Sequence, residues 1–182
     1  MTTTIITLDT TGLPNRTAGW GPRLVAVGLA QIEDGLIVGS TGTLIAQSAA
    51  HVFDPRATPA FRVSGIDPEA VTQAPLGEED VLRKLRDAPL GRVIGFNLPF
   101  IQDFLALPPW EALSLSWGDC VMAEAARVIW GPSRQRIALN AAITWAAERG
   151  ADLLPPKTAT LRCHANAVRI AKLKLELDRC QR

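Results

Sequence analysis

Apolar and polar positions along this chain follow a strand period first and a helix period later. Residues 3–8 are β-branched and apolar, and Thr10-Thr11-Gly12 and Pro14 close them off, as expected of a buried strand. Residues 23–32 (RLVAVGLAQI) alternate enough for a second strand. Glu33-Asp34-Gly35 supplies a hairpin turn, and residues 36–44 return as a third strand. Residues 54–67 are rich in proline and polar groups and are expected to be a loop. Asp67-Pro68-Glu69 then opens a short helix, with Asp67 as N-cap and Pro68 in its first turn. A further helix is expected over 78–87, acidic at its start as the helix dipole favours.

Residues 92–96 (RVIGF) predict a fourth strand, and Asn97-Leu98-Pro99 starts a helix through Phe100, Phe104 and Leu105. A short fifth strand is expected over 113–117, ending at Gly118-Asp119. Helices follow over 120–129, 136–148 and 162–179, with Gly150 as a C-cap glycine after the second. This order describes an α/β fold with a mixed five-stranded sheet and helices on both faces, mixed because of the opening hairpin.

The 182 residues are 47% hydrophobic with mean hydropathy +0.13, so residues 1–182 are expected to form a single domain. Lys and Arg total 19 against 18 Asp and Glu, which leaves no global field for nucleic acid or a membrane surface. No apolar run reaches the roughly 18–20 residues of a membrane span, and MTTTIITLD lacks the features of a signal peptide. Three cysteines without C-x-x-C spacing argue against a disulfide scaffold or zinc ribbon and favour the reducing cytoplasm. Charge is uneven, however. Residues 1–91 carry 7 Lys+Arg and 10 Asp+Glu; residues 125–182 carry 11 and 4, a balance of +7. The C-terminal excess is either a set of solvated helix faces or a basic surface that meets phosphates.

Four motifs occur in order. Thr10-Thr11-Gly12-Leu13 follows the first strand. Val63-Ser64-Gly65-Ile66-Asp67-Pro68-Glu69 precedes Gln73-Ala74-Pro75. Gly95-Phe96-Asn97-Leu98-Pro99-Phe100-Ile101 ends the fourth strand. Arg162-Cys163-His164-Ala165-Asn166-Ala167 precedes Ala171-Lys172-Leu173. Together they resemble the motifs of the DnaQ-like (DEDD) 3′–5′ exonucleases over residues 4–177. The resemblance implies the RNase H-like fold. It also implies a cleft where two divalent ions held by carboxylates activate water against a phosphodiester, with a histidine as general base.

Residue by residue, the resemblance gives a deficit. Thr7 stands where the family has its first Asp and Asp9 where it has Glu. Ile101 stands at the second-motif Asp, Asn166 at the third-motif Asp, and Leu161 at the histidine. One aspartate cannot hold two hydrated Mg²⁺ or Mn²⁺ ions, so the resemblance implies a degenerate member without resident metal. The expectation is a catalytically inactive exonuclease-fold protein that binds a single-stranded 3′ end or a partner such as a polymerase, helicase or nuclease-complex protein, with no membrane partner. The alternative is an active metal-dependent 3′–5′ exonuclease with ligands drawn from Asp9, Asp119, Asp103 or His164. The expected setting for such binding is a replication, repair or nuclease complex.

The remaining candidates divide by position. Thr11, Gly12, Asn97, Lys157 and Arg162 are expected to line the cleft and contact nucleic acid, with ordinary surface charge the alternative for Lys157 and Arg162. Arg169 could anchor a phosphate, but Arg169, Lys172, Glu176 and Arg179 recur as one helix stripe, which favours an exposed polar face. His164 beside Cys163 is expected on a helix surface, and His51 to be structural. Asp103 is expected to point away from Ile101, and Asp119 to cap the next helix. Phe100 is expected in the core, and Phe96 in the core or as a stacking platform. Trp20 is expected to be exposed, stacking on a base, anchoring a partner protein or packing within its loop.

Overall fold

The apolar opening strand, β1 (Thr3–Thr10), lies at the centre of a five-stranded sheet in the computed structural model, which describes residues 2–13 and 21–181. It pairs antiparallel with β2 (Leu24–Glu33), which pairs antiparallel with the edge strand β3 (Leu36–Leu44). On its other side β1 runs parallel to β4 (Arg92–Gly95), and β5 (Ser116–Cys120) completes the order β3-β2-β1-β4-β5. The sheet is mixed, as the hairpin required. Asp34 and Gly35, with φ of 49° and 78°, form the turn whose two positive φ values match strand twist.

Between β3 and β4 come α1 (Ala49–Val52), α2 (Thr58–Ser64), α3 (Pro68–Thr72) and α4 (Glu78–Asp87). After β4 come α5 (Leu98–Leu105), then β5, α6 (Val121–Trp130), α7 (Leu139–Ala147) and α8 (Arg162–Cys180). One sheet face, including Ile5, Ala30 and Ile94, packs against α6, α7 and α8. The other, with Ile6, Val27 and Val93, packs against α4 and α5 through Leu82, Leu85, Ile101 and Phe104. Residues alternate between these layers along β1, so the central strand is buried on both sides. Glu124 of α6, only 7% exposed, accepts a hydrogen bond from Lys174 of α8 at 3.0 Å and ties two helices of the first layer.

Several element boundaries differ from expectation for local reasons. The expected loop over 54–67 contains α2, which starts with Pro59 in its first turn and ends at Gly65 with φ 69°. Its buried residues are Phe61 and Ser64, three apart, too few to register as a helix period. The fifth strand lies later than 113–117, because pairing of Arg92 with Ser116 and Val93 with Trp117 sets its register. The helix expected from 136 starts at Leu139, after an extended Ala138. Gly150 does terminate that region: with φ 84° it bonds to the Ala147 carbonyl, while Ala151 N–H reaches Ala146 O at 3.1 Å. Asp67 caps α3 by accepting from Glu69 N–H at 3.0 Å. Among the described residues no helix is long and apolar enough to cross a membrane. Pro14 and Trp20 lie outside the described residues.

Candidate functional site

Small residues on three neighbouring strands form the floor of the site. Thr7 of β1 pairs with Gly28 of β2, and Gly28 pairs with Gly42 of β3. The first turn of α8 rests on this row. A methyl group on Gly28 would lie 2.4 Å from the Cys163 carbonyl carbon and oxygen, and one on Gly42 would lie 2.5 Å from His164 Cβ. The Thr7 hydroxyl donates to the Cys163 carbonyl at 2.6 Å, which locks helix to strand. Thr7 therefore holds α8 in place, and its oxygen points at a helix carbonyl.

Cys163 and His164 are both buried, contrary to the expected surface pair, because the glycine floor lets α8 approach so closely. Burial of the Cys163 thiol, followed by the charge of Asp9, pushes its pKa up to about 12. His164 bonds Ser40 Oγ through Nε2 at 3.0 Å, and burial lowers its pKa below 6.5. A lowered folded-state pKa means that the unfolded chain takes up the proton more readily. The His164 contribution is intact above pH 6.5 and is lost as the pH falls below it. We expect urea midpoints to fall between pH 7.5 and 5.5, and to fall less in His164→Gln; an unchanged fall in that variant would refute the assignment.

Asp9, at the end of β1, is 2% exposed. Its Oδ1 accepts from Arg162 Nε at 3.1 Å and from Arg162 Nη2 in a second, shorter contact. Arg162 Nη1 donates to the Val63 carbonyl at the end of α2 at 3.0 Å. The guanidinium thus bridges β1, α2 and the start of α8, with its side chain 40% exposed. Asp9 Oδ2 is buried without a hydrogen-bond partner among the described residues. A cavity of about 310 Å³ opens beside Arg162, with Ser64, Gly65, Asp67 and Thr160 in its wall.

The other candidate positions are less concentrated. Ile101 is 4% exposed within the apolar layer, and its Cδ1 fills the space that a side chain at Gly95 would take. Leu161 is the N-cap residue of α8 and packs beside a third apolar cluster; Asn166 is half-buried on the same helix. Thr11 is fully buried, accepts Arg23 N–H at 2.7 Å and lies 3.2 Å from His51 Nε2. Its hydroxyl is therefore engaged inside the protein, away from any ligand surface. Gly12 is half-buried and accepts the Thr10 hydroxyl at 2.7 Å through its carbonyl. Asn97 and Lys157 are exposed. Phe96 packs half-buried against the α8 layer and Phe100 against the α5 layer. Asp103 is exposed, turned away from Ile101 as the helix period requires. Asp119 pairs with Arg92 at 3.0 Å and caps nothing, since strand pairing extends to Cys120.

The expected exposed stripe on α8 is corrected too. Glu176 is buried and paired with Arg179 at 2.7 Å, and Arg169 and Lys172 are half-buried. The basic C-terminal surface is partly neutralised: Lys172 pairs with Asp152, and Lys174 with Glu124 and Asp178. Sequence reasoning missed the Gly28–Gly42 floor and the Asp9–Arg162 pair. Glycines inside two strand patterns were the available signal for the first. The second had none, because 153 residues separate the partners.

These donors do not suit a pair of divalent ions. Such ions need several oxygen ligands with compensating charge. Here the one acid is paired with a guanidinium, Thr7 is turned toward Cys163, and Ile101 has no donor atom. Among the described residues no cluster of three or more His, Cys, Asp or Glu could share a metal ion.

Comparison with solved structures fixes the architecture. Exonuclease X in complex with 5′-overhanging duplex DNA superposes with a TM-score of 0.65 at 20% identity, over 97% of this chain and 90% of that one. This chain has the RNase H-like exonuclease fold. A product-bound exonuclease I also shares that fold, with a TM-score of 0.64 at 13% identity, over 98% of this chain and 44% of that one. Escherichia coli exonuclease I in complex with a dT13 oligonucleotide matches 72% of this chain at 14% identity and TM-score 0.51. This chain spans less than half the length of those exonuclease I chains. No family model and no curated protein matches its sequence.

Proposed function

We propose that this chain is a degenerate, non-hydrolytic member of the DnaQ-like exonucleases that binds a single-stranded nucleic-acid 3′ end without metal. It would act as one domain, residues 1–182, within a replication or repair complex. The observation that carries this reading is the Arg162 guanidinium seated on Asp9. A guanidinium stays charged at any physiological pH and neutralises the acid, as a bound cation would. Its three hydrogen bonds leave two of its five N–H donors for a ligand phosphate. Support also comes from the fold neighbours, which hold an overhanging duplex in exonuclease X and an oligonucleotide in exonuclease I.

The orphaned Asp9 Oδ2 favours the second reading, an active exonuclease with atypical ligands, since a bare buried oxygen is a potential metal donor. Incubation of 5′-labelled single-stranded DNA and RNA with Mg²⁺ or Mn²⁺ separates the two. The first reading expects intact oligonucleotide, and binding that persists in EDTA and weakens with salt. Each phosphate contact contributes about −0.7 to the logarithmic salt slope. Digestion that disappears in Asp9→Ala would overturn it. A purely structural subunit would show no salt-dependent binding for Arg162→Ala or Lys157→Ala to weaken.

A further inference from the structure

Beyond the Arg162 cavity, across the Gly65-Ile66-Asp67 turn that forms a wall of both, lies a second cavity of about 440 Å³. Phe53, Thr58, Arg62 and Ile66 are among its lining residues. Phe53 is 56% exposed, whereas Phe61 on the same cavity is 7% exposed and belongs to a core cluster. An aromatic ring left this open contributes little to folding, and its face is available for stacking.

The cavity is tied to the site described above at two points. His51, two residues before Phe53, lies 3.2 Å from Thr11, which follows Asp9 by two residues. Arg62 immediately precedes Val63, whose carbonyl holds Arg162. The segment that carries Phe53 is thus anchored to the end of β1, and Arg62 is one residue from the Arg162 contact. Arg62 is exposed and has no ion-pair partner among the described residues. The acids nearby are committed: Asp54 is held by Arg56 at 2.6 Å, and Asp67 accepts the Glu69 N–H.

An exposed aromatic face with a free guanidinium beside it matches one repeating unit of a single-stranded nucleic acid. The base has a π-face to stack, and the backbone carries one negative charge. We infer that this cavity is a second nucleotide subsite, with Phe53 as the stacking platform for a base and Arg62 as the contact for its phosphate. The inference rests on the proposed binding of a 3′ end at Arg162, and it places the next nucleotides across the 65–67 turn. Stacking on Phe53 tolerates any base, so the subsite adds affinity without sequence choice.

The test is an anisotropy titration of 5′-labelled single strands with one abasic residue moved stepwise from the 3′ end. For the unaltered chain, affinity should fall about tenfold at one internal position near the end, the range typical of one lost stack. In Phe53→Ala affinity for the intact strand should fall by a similar factor, and the abasic position should have no further effect. Phe53→Trp should restore the step. Arg62→Ala should weaken binding and flatten the logarithmic salt slope by about 0.7. Binding that is equally tight in Phe53→Ala, or an abasic scan without a step, overturns the subsite alone. If the unaltered chain binds no oligonucleotide, both this inference and the reading beneath it fail. Unchanged urea midpoints for Phe53→Ala would exclude unfolding as the cause of its loss.

Discussion

Arg162→Ala should destabilise the protein by about 3 kcal/mol, although Arg162 itself is a partly exposed surface cation. The loss arises at the other end of the pair. Asp9 is 2% exposed, and its Oδ2 already lacks a hydrogen-bond partner among the described residues. Without the guanidinium, Oδ1 loses both Arg162 contacts, and a buried carboxylate stands without its counter-charge. Removing one partner of a buried pair is far more damaging than removing both. The double variant Asp9→Asn, Arg162→Ala should therefore be more stable than Arg162→Ala alone. Arg162→Lys should fall between, because an ammonium keeps the charge but cannot span Asp9 and the Val63 carbonyl with one planar fork. Urea denaturation of the unaltered chain, Asp9→Asn, Arg162→Ala and the double variant completes the cycle. Additive effects of the two substitutions would show that the pair contributes no coupling.

Gly28→Ala should be equally severe, by about 3 kcal/mol, the upper end of overpacking effects. The added methyl would meet the Cys163 carbonyl carbon and oxygen at 2.4 Å and the His164 nitrogen at 2.6 Å. All three are backbone atoms, so no side-chain rotation relieves the overlap. Strand and helix must separate, and the Thr7 bond to the Cys163 carbonyl lengthens with them. For a chain of this size the loss corresponds to roughly 6–12 °C in Tm. Because Arg162 begins the displaced helix, the variant should also bind oligonucleotide more weakly at a temperature where it remains folded. A Tm within 2 °C of the unaltered chain would show that α8 does not rest on this row.

Much of the fold was legible because its signals are local. The β-branched run at the chain start, the Asp34-Gly35 turn, the acidic start of α4 and the Asp67 cap each act within a few residues. α2 was not legible, since a seven-residue helix among prolines has too few buried positions to set a period. The stripe on α8 was misread for a related reason. Spacing puts Glu176 with Arg169 and Lys172, but only the packing of α8 against the other elements decides which of them is buried.

For the candidate site, the sequence alone determined the shortage of carboxylates at the motif positions. Acids are counted by identity, and no folding can create one. It also determined a mixed sheet, since hairpin and crossover lengths dictate which strands run parallel. Only tertiary structure decided what the surviving acid does. Asp9 and Arg162 lie at opposite ends of the chain and meet because Gly28 and Gly42 let the last helix settle onto the sheet. Long-range ion pairing depends on distances in space, to which linear order gives no access.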